Sequence, residues 1–302
     1  MSAGTAARPG VGGADARAPA SRPRGRPGLV GALLGSRAAC LGLAVVAIVG
    51  LTGALAPVVA PYPPTELHAD LLSPPGARYV LGTDDLGRDI LSRIIHGAPL
   101  SLMVGLISIG TAALAGVPLG LLAGYRGGLT DTVIIRCLDG LMAFPAILLA
   151  IAIMAVLGPS LRNAMIAIGV IYIPPFARLT RANVLSLRER EFVQAARCLG
   201  AGSLRNILRH VLPNCLSPII VQASLGMGYA ILVEAALSFL GLGVQPPQAS
   251  WGSMLAEGRG FLQRAPWFAT FPGLAIFVTV LALNFLGDGL REALDPRLRH
   301  LG

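Results

Sequence analysis

The chain has 302 residues and no lysine: all 24 of its cationic side chains are arginine. A P-loop uses a lysine to reach the β- and γ-phosphates of a nucleotide, so this chain carries no such site. Charge of either sign is scarce. Asp, Glu, Lys and Arg make up 13% of the residues, about half the share of an ordinary soluble domain. That leaves too little polar surface to wrap a water-soluble globule of this size, which excludes most soluble enzymes. The four cysteines, Cys40, Cys137, Cys198 and Cys215, form no C-x-x-C pair, which argues against a disulfide framework and a metal site. The four histidines, His68, His96, His210 and His300, form no H-E-x-x-H pattern. Ser217, Ser224 and Ser238 lack a G-x-S-x-G context. Neither a catalytic cluster nor a cofactor is expected. Nothing alternates over the roughly ten residues of a barrel strand.

What is present is apolar. Hydrophobic residues make up 54% of the chain, and the mean hydropathy is +0.70. They gather in six runs: Ala38–Ala60, Leu100–Gly124, Leu138–Leu157, Leu161–Ala177, Pro218–Gly241 and Thr270–Leu286. A bilayer takes about 20 such residues per helix, and lipid admits only elements whose backbone hydrogen bonds close internally. The expectation is an all-α membrane protein of six transmembrane helices. Residues 1–30, rich in Ala, Gly, Pro and Arg, are expected to be a disordered tail. The tail does not read as a cleavable signal, because the first apolar run is about twice a typical h-region. Residues 31–99 would hold the first span and an outer segment, and 100–298 a five-helix core with a loop at 178–216.

Orientation follows from arginine counts in the connections. The N-terminal tail carries six, the second-to-third connection two, the fourth-to-fifth seven and the C-terminal tail three. The alternate connections hold Arg78, Arg88, Arg93, Arg162, Arg259 and Arg264. Eighteen against six places both termini in the cytoplasm. It also accounts for the net charge of +9 without nucleic acid.

The loop after Arg178 is patterned. Ser186 and Glu189 read as a capping-box start. Phe192, Ala195, Ala196 and Leu199 then share one helical face. Gly200 stops that helix. Leu204, Ile207, Leu208 and Val211 repeat the spacing until Pro213. Two readings stand: an amphipathic pair resting on anionic lipid, or a docking surface, with Ala195 and Ala196 small enough for close approach.

Gln194-Ala195-Ala196-x3-Gly200-x9-His210-x-Leu212-Pro213 resembles the "EAA" loop of ABC importer permeases, E-A-A-x3-G-x9-I-x-L-P. Gln194 stands where that family has Glu, and His210 where it has Ile. Four further ordered segments extend the resemblance to the C-type permeases of dipeptide and oligopeptide importers. They are Ala56-Pro57 to Pro63; Gly82-Thr83-Asp84-Asp85-Leu86-Gly87-Arg88-Asp89; Glu234 and Ser238 through Trp251-Gly252; and Gly287-Asp288-Gly289-Leu290-Arg291 with Leu294-Asp295-Pro296-Arg297. The resemblance covers about residues 30–298. It implies a type I ABC importer permease fold with a cytoplasmic helix-turn-helix coupling loop, in a bacterial inner membrane. It also implies four kinds of contact: a second homologous permease, two ATPase subunits, an extracytoplasmic solute-binding protein and the lipid bilayer. Asp84, Asp85 and Asp89 serve either as caps and turn-formers or as contacts for that binding protein.

Three carboxylates fall within or beside spans, where charge is costly. Asp139 and Asp288 are expected to sit at solvated helix ends or to pair with Arg136 and Arg291. Glu234 is expected either at an inter-subunit contact or along the translocation path. Trp251 and Trp267 suit an interfacial aromatic belt.

Overall fold

The computed structural model describes residues 36–294. The tail at 1–30, the Asp295–Arg297 motif and His300 lie outside them. The first span is α1, Arg37–Ala54, capped by the Ser36 hydroxyl and followed by the short α2, Ala56–Val59. Residues 60–89 form an irregular segment of turns. Then α3 runs unbroken over Ile90–Arg126. Ile90 to Gly97 form its first turns. Asp89 caps it, accepting from the Ser92 amide at 2.8 Å. Pro99 and Pro118 are both carried inside the helix.

The third apolar run is not one straight span. It forms α4, Gly128–Met142, and α5, Ala146–Leu157, bent by 87°. The break falls at Pro145, which has no N–H to give and disfavours helix in the residue before it. α6, Leu161–Leu187, passes through Pro174 and Pro175 and ends ten residues beyond the expected edge at Ala177. Ser186 therefore lies inside the last turn of a helix, and the expected capping box with Glu189 does not form. Next come α7, Glu191–Cys198, and α8, Ser203–Asn206. α8 passes through a π turn at Ile207–Val211 into α9, Leu212–Phe239. Pro213 thus does not end the second loop helix. It sits just beyond the π turn, within the continuous helix from Ser203 to Phe239. The chain closes with α10, Trp251–Gly258, and α11, Pro266–Leu294. Five of these helices are long and apolar enough to cross a membrane, and the bent pair makes six.

The most extensive pairing is α3 against α6. Gly116, Gly120 and Gly124 repeat every fourth residue, which places them on one face. A β-carbon at Gly120 would lie 2.4 Å from the Ala177 carbonyl oxygen. Only a stripe without side chains lets the backbones meet so closely, and in lipid this packing stands in for the hydrophobic drive of water. The main core runs along α3, α6 and α9 through Val104, Ile109, Phe176, Val211 and Leu237. Val193 of α7 belongs to the same core and is fully buried.

Candidate functional site

Two constellations occupy opposite ends of the bundle. The first is the segment from Arg188 to Leu212. α7 turns one side inward, with Val193 buried and Ala196 half-buried. Phe192, Gln194, Ala195 and Leu199 face outward, and Leu199 is 89% exposed. The expected periodicity is present, and it marks the free face of the helix rather than the packed one. Gly200 follows at φ 83°, a left-handed conformation that glycine adopts without strain. Beyond it, Leu204 and Leu208 remain exposed while Asn206 and Val211 are buried. The outward surface therefore alternates large apolar side chains with Arg205 and Arg209. His210 is half-buried, and its carbonyl accepts from the Asn214 amide at 2.7 Å. The Gln194 side chain donates to the Glu189 carbonyl at 3.2 Å, a link within the segment.

Two arginines tie this segment to the end of α3. Arg188 donates to the Gly124 carbonyl at 3.1 Å, satisfying a helix-end oxygen. Arg197 lies over the Tyr125 ring at 4.7 Å, and its Nε donates to the Tyr125 hydroxyl at 3.2 Å. Nothing in the loop pattern announces Tyr125, because it ends an apolar run 72 residues earlier. Nearby, Arg181 grips Asp131 with two hydrogen bonds, at 2.5 and 2.6 Å, joining α6 to α4. Asp139 pairs with Arg178 rather than Arg136. Asp288 is exposed, with no ion pair to Arg291 or to any other described residue.

The opposite end holds the Gly82–Asp89 motif. Asp84 is fully buried and acts four times as an acceptor. Its Oδ1 takes the amides of Leu86 and Arg88 at 2.9 and 2.8 Å. Its Oδ2 takes Arg88 Nε at 2.6 Å and an Arg93 nitrogen at 2.5 Å. Both arginines continue to Glu257 of α10, at 3.0 and 2.9 Å. The network pins residues 84–93 to a helix more than 160 positions away. Thr83 bridges the same turn, accepting from Ser73 N at 2.8 Å and donating to the Asp70 carbonyl at 2.6 Å. Gly87, at φ 78°, leaves room for the His68 carbonyl, which would be 2.1 Å from a β-carbon there. Asp84 and Asp89 are thus turn-former and cap. Asp84, Asp85 and Glu257 lie close enough to share a cation, but the guanidinium groups of Arg88 and Arg93 already sit on Asp84 and Glu257 and offset two of the three charges. Burial pushes the Asp85 carboxyl above the ordinary carboxylate range; the charges of Asp84 and Glu257 add to this and Arg88 opposes it.

Glu234 of α9 is 1% exposed within its own chain. Its Oε1 accepts from Ser238 and Ser250 at 2.7 and 2.9 Å, joining α9 to the start of α10. Its Oε2 has no hydrogen-bond partner among the described residues. Trp251 is not part of an aromatic belt. It is 2% exposed and donates its indole N–H to the Ile94 carbonyl at 2.9 Å. Trp267 is half-buried and reaches the Thr83 carbonyl at 3.4 Å.

The family described as binding-protein-dependent transport system inner membrane component matches residues 116–300, which include the whole Arg188–Leu212 segment. This chain belongs to that family. As a binding-protein-dependent transport component it is a multi-pass membrane protein. Relatives are named as transport permeases rather than enzymes. The di/tripeptide transport system permease protein DppC of Pseudomonas aeruginosa is 50% identical over 266 residues, 86% of this chain and 88% of that one. The dipeptide transport system permease protein DppC of Escherichia coli K12 is 49% identical over 271 residues, 87% of this chain and 90% of that one. Among solved structures, an inward-facing form of the MetNI methionine ABC transporter aligns with a TM-score of 0.55 at 18% identity. It covers 67% of this chain and 95% of that one. The shared fold is that of an ABC importer permease.

Proposed function

We propose that this chain is a permease subunit of an ATP-driven importer of dipeptides and oligopeptides. It forms half of the pathway beside a second, homologous permease. Two separate ATPase subunits supply the energy, since the chain has no lysine with which to build a P-loop. A solute-binding protein delivers peptide on the outer side of the bacterial inner membrane. Both termini and the Gly200 turn face the cytoplasm, and the Asp84 network faces outward.

The observation that carries the reading is the free apolar face of Phe192, Leu199, Leu204 and Leu208, in a chain half-identical to a di/tripeptide permease along 86% of its length. These side chains gain nothing by standing in water. An ATPase groove that buries them receives the segment, and α7 and α8 carry its motion into α3 and α9. Leu199→Asp tests this. Leu199 packs against nothing that the fold needs, so the variant inserts and folds normally. Loss of a central apolar anchor costs about 2 kcal/mol, roughly thirtyfold in affinity. We expect the ATPase no longer to co-purify and ATP-dependent dipeptide uptake to fall at least tenfold. Uptake that persists without ATP in the unaltered protein would overturn the proposal.

A further inference from the structure

A cleft of about 650 Å³ opens at the Gly200 end between α6, α9 and α11. That volume falls within the range of small-molecule sites. Its lining is mixed: Leu179, Val221, Leu225 and prolines, together with Asn183, Asn214, Ser217, Gln222 and Arg291.

The polar groups are unequally committed. Asn183 and Asn214 each donate a side-chain amide N–H to the backbone one turn earlier, at 2.8 and 2.7 Å. Each keeps its carbonyl oxygen as an acceptor. The Ser217 hydroxyl donates to the Leu294 carbonyl at 3.3 Å and keeps its lone pairs. Gln222 and Arg291 have no hydrogen-bond or ion-pair partner among the described residues. Gln222 is half-buried in the body of a membrane-crossing helix, and its amide can both donate to and accept from a polar occupant. Arg291 offers five donors in a planar fork, with no acceptor opposite among the described residues. Among the described residues the cleft thus offers three acceptor oxygens, one amide and one guanidinium without partners, beside apolar side chains.

We propose that this cleft binds the transported peptide on its way out to the cytoplasm, with Arg291 taking the C-terminal carboxylate and Gln222 the peptide bond. A short zwitterionic peptide answers the whole set. Its carboxylate matches the guanidinium in a charge-assisted, bidentate pair. Its ammonium group has three donors for the oxygens of Asn183, Asn214 and Ser217. The apolar lining accepts small side chains without selecting one, which suits a route shared by many sequences. The inference rests on the permease reading above and adds where, within this chain, the peptide is held.

The test uses the full-length chain in lipid nanodiscs and Ala-Ala as the probe, read by saturation-transfer NMR. The purified chain is expected to bind Ala-Ala. Amidating the peptide's C-terminus, or substituting Arg291→Gln, removes the charge-assisted pair and weakens binding about tenfold or more. Gln222→Leu weakens it several-fold, and Arg291→Lys retains part of it. Ala-Ala binding that is absent, or unchanged in Arg291→Gln and Gln222→Leu, overturns the proposal. So does a cleft that responds to phosphatidylglycerol in the nanodisc and not to Ala-Ala, which would assign Arg291 to a lipid headgroup. A cell-based arm separates the two readings. Wild-type uptake kinetics in Arg291→Gln overturn the site alone, whereas no ATP-dependent uptake by the unaltered chain overturns the permease reading.

Discussion

Asp85 is the residue at which a single proton matters most. It sits beside Asp84 and Glu257, and its contact with Arg88 is only 3.9 Å. Its carboxyl is raised in the fold by burial first and by those two charges second. A carboxyl raised by folding contributes its full stability below its unfolded value, near pH 3.9, and loses it as pH rises through the folded value. At neutral pH Asp85 is therefore a cost that asparagine does not carry. Asp85→Asn is expected to raise the melting temperature at pH 7, with the difference vanishing toward pH 4. A variant that melts lower than wild type at pH 7 would contradict this account. The same environment explains why Asp84 needs two arginines: breaking a buried pair by removing one partner costs about 3–5 kcal/mol.

Among the elements, α7 is held from two sides. Val193 plants it in the core, and Arg197 fastens it to Tyr125 at the end of α3. α8 is continuous with α9 through the π turn. A push on the outward face of α7 is thereby divided between α3, locked to α6 by its glycine stripe, and α9. If Tyr125 and Arg197 act as one unit, removing either does most of the damage. A double-mutant cycle of Tyr125→Leu and Arg197→Gln, read by peptide transported per ATP hydrolysed, should show the double variant little worse than either single one. Additive losses would mean that the contact carries no coupling. The loop pattern grouped Phe192, Ala195, Ala196 and Leu199 on one side of the helix, because helical periodicity is local. It could not show which face packs, because Val193 and Leu199 are both apolar and only the position of α3 and α6 chooses between them. Pro213 and Ser186 misled for a related reason: capping and helix-breaking signals are conditional on the helix beginning there, and neighbouring spans kept these helices running.

For the molecule as a whole, orientation is the property to test. Cys198 is exposed on the outward face of α7. With both termini in the cytoplasm, a membrane-impermeant maleimide should label Cys198 in inverted vesicles and not in intact spheroplasts, when the chain is expressed without its partners. The reverse labelling would invert the topology drawn from the arginine counts. Five long apolar helices and a pair bent by 87° enclose a core shared by α3, α6 and α9.

The sequence by itself determined that the chain crosses a membrane, roughly where it does so, and that no P-loop lies within it. These are properties of composition and of runs, and they survive any arrangement of the helices. Only the tertiary structure decided that Arg88 and Arg93 bridge Asp84 to Glu257 and that Trp251 is core. Only it decided that Glu234 is enclosed by its own chain, and that Gln222 and Arg291 share a cleft. Each of these pairs residues far apart along the chain. A side chain's partner is set by which helices pack together, and that packing depends on close approach at glycines and on prolines bent or tolerated in place.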